Sequence, residues 1–397
     1  MTRASPISIV GGGIAGLATA LALGRGDVPV HLFERANAFS EVGAGIGLGP
    51  NATRVLHAWG LTPQLNQSGC TPDSLLARDA VDGRVYGRLQ MGQAFIEKYG
   101  APYVTIHRAD LHRLLLEAVQ LQATCELHLN QALTGLMESP KSVTLTFNHA
   151  SSSHETQALV GADGLQSVVR QWMADASEAQ PTGHWAYRTL LRTSDLPLAL
   201  RGSHLGIWMG RHLHVVHYPV KSGEFLNLVV LLASPATQAQ PGWDLALNPS
   251  QIASDLRVAL RGCAAQLQDL IQAASDWRAW CLFDRPPLRQ ADQMAQGRLV
   301  LVGDAAHPML PYLAQGAGMA LEDAASLAAH WQHEDMPIQQ RLLQFAQTRW
   351  QRVSRVQQRA QRNGVIFHAH GALRLARNTA LKVGGSRLMD MPWLYSA

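Results

Sequence analysis

Short apolar runs alternate along this chain with longer stretches in which apolar positions recur at helical spacing. The pattern predicts a strand over Ile7–Val10, an Ala/Leu-rich helix reaching to about Gly26, and a second strand over Val28–Phe33. A short helix over 51–60 is stopped by Gly60. The stretch 72–105 reads as strand-like runs around an Asp82-Gly83 hairpin turn, with aromatic side chains at Tyr86, Phe95, Tyr99 and Tyr103. A helix starts at His107–Leu111, strands follow within 125–147, and Ala158–Gly161 is a further buried strand. From 183 to 233 come Trp185–Leu191, Leu205–Met209, His212–Tyr218 and Phe225–Leu232, strand after strand with turn signals between, which predicts an antiparallel sheet unlike the βαβ opening. Helices over 250–275, a strand over Trp277–Phe283, a linker at Arg285-Pro286-Pro287, a buried strand over Leu299–Val302 and a helix over 316–332 complete the pattern; beyond 336 the chain reads as helical, with an apolar end that packs on the body.

Composition bounds the rest. With 397 residues, 47% apolar and 16% charged, the chain fits two globular domains. The expected division is 1–71, 106–181 and 284–335 in one domain, 72–105 and 182–283 in a second, and 336–397 as a helical tail. The fold class is α/β (α+β overall): a Rossmann-like domain carrying an inserted, mostly antiparallel sheet. No apolar stretch reaches the length of a bilayer span, and the start, Met1–Pro6, leaves no room for a signal peptide before the first strand. Cys70, Cys125, Cys263 and Cys281 lie far apart, which argues against a zinc site and for a reducing, cytoplasmic setting. Formal charge is only +4. The run Arg349, Arg352, Arg355, Arg359 and Arg362 has the spacing of a solvated helix face, not of a nucleic-acid footprint.

The chemistry gathers at two places. Gly11-Gly12-Gly13-Ile14-Ala15-Gly16 sits between the first strand and the first helix, and Glu34-Arg35 ends the second strand. This is a dinucleotide fingerprint in its required context: Gly11 for the turn, Gly13 for pyrophosphate approach, Gly16 for helix–strand packing, Glu34 for ribose hydroxyls. At the other place a strand ends at Gly303-Asp304, Pro308 and Pro311 interrupt regular structure, and Gly316-Ala317-Gly318 opens a helix. Small residues there let a flat ring approach free helix N–H groups, and Asp304 can bind a ribityl hydroxyl, so the segment reads as the seat of a flavin. In the strand His212–Tyr218, alternation puts His212, His214, Val216 and Tyr218 on one face and Leu213, Val215 and His217 on the other.

Together these segments resemble the single-component FAD-dependent aromatic hydroxylases, the group of salicylate and 3-hydroxybenzoate hydroxylases, over about residues 5 to 330. The fingerprint with Glu34-Arg35, the run Gly161-Ala162-Asp163-Gly164-Leu165-Gln166-Ser167-Val168-Val169-Arg170 and the Gly303-to-Gly318 segment carry the resemblance. Glu41-Val42-Gly43-Ala44-Gly45-Ile46 and His107-Arg108-Ala109-Asp110-Leu111 agree with it. It implies non-covalent FAD, NADH or NADPH as co-substrate, O2 taken up as a flavin C4a-hydroperoxide, and attack on it by an electron-rich phenol. It implies further that Ala44, Gly45 and Arg108 border the cofactor, that Asp163 lies near the ribityl chain and pyrophosphate, and that Pro311 shapes the space beside flavin C4a. Closely related hydroxylases carry His-x-x-x-Tyr-Pro, onto which His214 and Tyr218 fall as base and hydrogen-bond partner. A substrate carboxylate needs donors, for which Arg188 and Arg211 both qualify. One departure is Gly47, where some relatives have a histidine in the same loop. The expected partners are a small aromatic substrate and O2, with no nucleic acid, no membrane span, and a homodimer allowed. A ring hydroxylase of ubiquinone synthesis and a flavoprotein oxidoreductase without hydroxylation stay open as alternatives. A halogenase does not: its Trp-x-Trp-x-Ile-Pro motif is missing.

Overall fold

A computed structural model describes residues 6–39, 44–148, 153–173, 178–233 and 249–396; residues 41–43 of the minor glycine segment, expected near the cofactor, lie outside these. A six-stranded sheet runs, in spatial order, Ala295–Gln296, Leu299–Leu301, Ala158–Gly161, Ile7–Val10, Val30–Phe33, Cys125–His128. Its pairs are parallel apart from the two-residue edge strand. Every residue of Ile7–Val10 and Ala158–Gly161 is buried, as a sheet covered on both faces requires. The helix Ile14–Gly24 packs between Arg108–Gln120 and Gly316–Trp331, so both glycine-rich helix starts meet at one end of the sheet.

The second sheet has seven strands: Arg278–Asp284, Gln180–Arg192, Phe225–Ala233, Leu213–Val220, His204–Gly210, Ser74–Asp79, Val85–Gln90. All pairs are antiparallel except His204–Gly210 with Ser74–Asp79. Alternation decides its two faces. Leu228 and Val230 enter a core with Ile252, Leu256 and Leu267 from the helices Pro249–Ala259 and Ala265–Gln272, whereas Val229 and Leu231 face the first domain's side. The chain turns between Ser74–Asp79 and Val85–Gln90 at the expected Asp82-Gly83.

Two expectations change. The aromatic stretch after the hairpin includes a helix, Gln93–Tyr99, because Phe95 and Tyr99 pack edge-on against Tyr395 near the C-terminus. The arginines read as a solvated face are not all solvated. Arg349 is buried and donates from Nε to Asp323 at 2.8 Å and from Nη1 to Glu322 at 2.6 Å. Arg352 joins the same carboxylate, and Arg355 stacks on Trp393 at 4.2 Å. The acids belong to Gly316–Trp331, and spacing within the helix Ile338–Phe367 carries no trace of them. The expected burial of the chain's end is found at Leu394 and Tyr395.

Candidate active site

Where the two sheets face each other a cleft opens, with a volume of about 590 Å³. One end is built by the first fingerprint. Gly11 has φ +107°, and a Cβ there would meet the Ala162 carbonyl oxygen at 2.4 Å. Gly16 sits behind the wall: its Cβ would strike the Gly11 carbonyl oxygen at 1.8 Å, so it sets the approach of helix to strand and does not itself line the cleft. Gly13, Ile14 and Ala15 do line it, at a helix start that no side chain caps. The Glu34 carboxylate accepts from Gly12 N–H at 2.6 Å and Ala36 N–H at 2.8 Å, fixing the loop around it. Arg35 stands exposed at the rim. His112 Nε2, unmarked in the sequence reading, lies 2.8 Å from the Gly12 carbonyl oxygen.

The other end is the Gly303–Gly318 segment. Asp323, fully buried, accepts from Gly303 N–H at 3.0 Å, His307 Nε2 at 2.6 Å and Arg349, and so ties the strand tip to the helix that follows. Burial opposes its charge, but His307 and Arg349 outweigh this and hold the carboxyl below the usual range. Asp304, Pro311, Gly316 and Ala317 line the cleft. Gly318 points the other way, toward Gln315 and Asn51, and Ala320 takes the place expected for it.

Of the remaining expected residues, Gly45 and Arg108 line the cleft. Ala44 does not; it is buried, and its carbonyl accepts from Arg108 N–H at 2.7 Å. Gly45 N–H donates to Asn227 Oδ1 at 2.8 Å, a cross-domain bond with no sequence signal. The Asp163 carboxylate caps the helix Val168–Trp172, accepting from Val168 N–H at 2.7 Å and Ser167 Oγ at 2.5 Å, while the residue itself forms part of the cleft wall. Burial is the larger influence on it and pushes it up. Arg170 reaches from the same helix to the Ala305 and Ala306 carbonyls, joining the two halves of the seat. At Gly47 a side chain would run into Tyr103 Oη at 2.2 Å, so the buried tyrosine fills the space beside this glycine.

The sheet side of the cleft is formed by Arg188, Val216, Tyr218, Val229 and Leu231. The parity expected for His212–Tyr218 holds for Val216 and Tyr218, and His217 points away against Gly206 and His204. His214 shares the face of Tyr218 but does not line the cleft. It lies beside Leu231, its cross-strand partner, and is roofed by Tyr312 and Phe367. Its Nδ1 is 2.8 Å from His368 Nε2. Burial, and then the neighbouring His368, holds His214 well below its ordinary value, and burial brings His368 to about 3. Tyr218 is pushed up to about 12 by burial, which Arg188 only partly opposes. Arg188 stacks on Trp280 at 4.1 Å. Its Nε is buried without a hydrogen-bond partner, and among the described residues no carboxylate pairs with it. Burial brings its guanidinium down to about 10. Arg211 is exposed at a turn and does not line the cleft.

An uncapped helix start, a glycine turn, a carboxylate at the second strand's end and a second helix start across the cleft are features that fit FAD. The comparisons agree. Residues 4–360 match the family described as FAD binding domain. The chain is 37% identical over 395 residues to a 3-hydroxybenzoate 6-hydroxylase of Polaromonas naphthalenivorans, covering 98% of this chain and 95% of that one. It is 35% identical to a 3-amino-4-hydroxybenzoate 2-monooxygenase of Streptomyces cremeus, over 91% and 87% of the two chains. A salicylate hydroxylase substrate complex superposes with TM-score 0.82 at 25% identity, covering 100% and 96%. No helix among the described residues is long and apolar enough to cross a membrane. A two-ended flavin seat in this geometry, matched along nearly the whole chain, makes this protein a member of the FAD-binding family of single-component aromatic-ring hydroxylases.

Proposed function

We propose that the protein hydroxylates the ring of a small phenolic acid, and that Arg188 holds the acid's carboxylate. The observation that carries this reading is the Arg188 guanidinium, half-buried in the cleft with no anion beside it among the described residues. Desolvating a cation without a partner costs several kcal/mol, which an anionic ligand offsets. The relatives are named for hydroxybenzoates, which combine a phenol with a carboxylate. Bound FAD, with electrons from NADH or NADPH, supplies the activation of O2. The chain's own residues do the rest. Arg188 and Tyr218 orient the ring, Tyr218 as hydrogen-bond partner of the phenol hydroxyl, and Val216, Val229 and Leu231 keep water from it. His214 stands one step behind this wall, kept neutral by burial with His368 at its Nδ1, and acts on the ring only through its neighbours Leu231 and Tyr312. Asp163, Asp304, Pro311 and Gly316 line the cofactor's path in this reading.

The distribution of strands supports division into an FAD-binding unit around the six-stranded sheet and a substrate unit around the seven-stranded one. Four free cysteines support a cytoplasmic setting. The test is NADH consumption with product identification against 3-hydroxybenzoate, salicylate, 6-hydroxynicotinate and an uncharged quinone precursor. Hydroxylated acid in proportion to NADH is expected. Preference for the uncharged quinone precursor would replace this reading with the quinone-ring alternative, and NADH oxidation that no phenol stimulates would remove hydroxylation altogether.

A further inference from the structure

On the far side of Phe33 from the cleft, three histidines and a glutamate converge with no part in the flavin site. His31 lies in Val30–Phe33 and Glu126 in Cys125–His128, the edge strand, and the two are direct cross-strand partners. His128, two residues on, shares the face of Glu126. The ligand atoms of His31, Glu126 and His128 all lie within 4.8 Å of one another. Glu126 Oε2 sits 3.6 Å from His31 Nε2 and 3.7 Å from His128 Nε2, in each case too far for a good hydrogen bond. An ion bound at about 2.0–2.2 Å to each ligand in tetrahedral geometry separates ligand atoms by roughly 3.3–3.6 Å. The two separations from Glu126 are therefore close to those of a coordination sphere.

A third imidazole flanks the group. His154, on the small sheet's strand His154–Thr156, has its ring 5.0 Å from that of His31. The Nε2 atoms of His128 and His154 are both buried without a hydrogen-bond partner. Phe33 stacks on His128 and on Phe147, giving the cluster a dry floor.

We propose that His31, Glu126 and His128, with water completing the sphere, bind one borderline divalent cation of the Zn2+ type. Imidazole with one carboxylate suits Zn2+, Co2+ and Ni2+ and discriminates against Mg2+ and Ca2+. The ion ties the outer strand Cys125–His128 to its neighbour Val30–Phe33.

The test uses untagged, FAD-loaded protein dialysed against chelator. Titration with Co2+ is expected to raise visible d–d bands that saturate at one equivalent and vanish when Zn2+ is added. Calorimetry with Zn2+ should give the same stoichiometry. His31→Ala, and separately Glu126→Gln, should each weaken Zn2+ by about tenfold or more. Glu126 is mostly exposed, with 64% of its side-chain surface accessible, so its replacement leaves folding intact. Replacing the surface pair His330 and His333 with alanine should change nothing. Affinity weaker than about 1 mM, or one-equivalent binding untouched by both His31→Ala and Glu126→Gln, would overturn the site.

Discussion

At the scale of single residues the cleft separates groups that hold from groups that react. Glu34 grips two backbone N–H groups, so its removal loosens the loop and takes away the carboxylate expected to bind the ribose. Glu34→Ala is expected to weaken FAD by roughly ten- to a hundredfold, measured by fluorescence quenching, since charge-assisted bonds contribute about 1.5–3 kcal/mol each. Arg188→Gln keeps polar atoms in the cleft but removes the charge. It should raise KM for a phenolic acid by roughly ten- to a hundredfold and leave a neutral phenol of the same ring little changed. Equal effects on acid and neutral phenol would show that Arg188 supports the sheet through Trp280 instead. For the histidines, product formed per NADH is the informative ratio. His214→Ala should lower it modestly, by loosening the wall at Leu231 and Tyr312, whereas His217→Ala, on the other face, should lower stability and leave the ratio intact. The parity of these residues was readable from alternation alone. That His214 stands one step outside the cleft, with His368 at its Nδ1, was not, because 154 residues separate the pair.

At the scale of elements the C-terminal helices show how distant acids decide local environment. The helix Gly371–Gly384 is anchored by Asp79, which is fully buried and accepts from Arg374 Nε at 2.7 Å, Arg377 Nη2 at 2.8 Å and Asn378 Nδ2 at 2.8 Å. Burial acts against this carboxylate's charge, but the hydrogen bonds from Arg374 and Asn378 outweigh it and hold the pKa at about 2. Asp79→Asn leaves buried Arg377 without its counter-charge and is expected to cost about 3 kcal/mol. The loss should appear as a lower Tm and faster amide exchange in Gly371–Gly384. An unchanged Tm would mean that packing alone keeps this helix in place. The sequence marked a helical region beyond 336 without this helix's bounds, and held no sign of its anchor. The misjudged arginine run has the same cause: Glu322 and Asp323 neutralise Arg349 from another helix.

At the scale of the whole molecule, pH reports on the buried histidines. His217 and His368 are each brought to about 3, by burial first and by neighbouring positive charge second, against an ordinary value near 6.5. The unfolded chain therefore takes up protons before the folded one does. Stability from these groups is complete above about pH 6.5 and is lost as pH falls toward about 3. Tm should be level above neutrality and decline steadily through the acid range, with Asp79 adding its own loss only between the ordinary carboxylate range and about 2. A Tm that stays level from about pH 6.5 to 5 would show that the histidines are solvated.

What the sequence determined by itself was whatever depends on neighbours along the chain. Strand, glycine turn, helix and acid follow each other within Ile7–Glu34, and tip, prolines and helix start follow within Leu299–Gly318, so both halves of the flavin seat and the two kinds of sheet were legible. Side-chain alternation is likewise local, and it placed Tyr218 toward the cleft and His217 away. Tertiary structure alone decided which distant groups meet. Asn227 holds Gly45, Tyr103 fills the space over Gly47, His368 faces His214, and Arg188 is left in the cleft without an anion. His31, Glu126 and His128 come together the same way, from strands whose order is set by the βαβ crossover and not by their position in the chain. Burial and electrostatics depend on all neighbours in space, and no window of the sequence contains them.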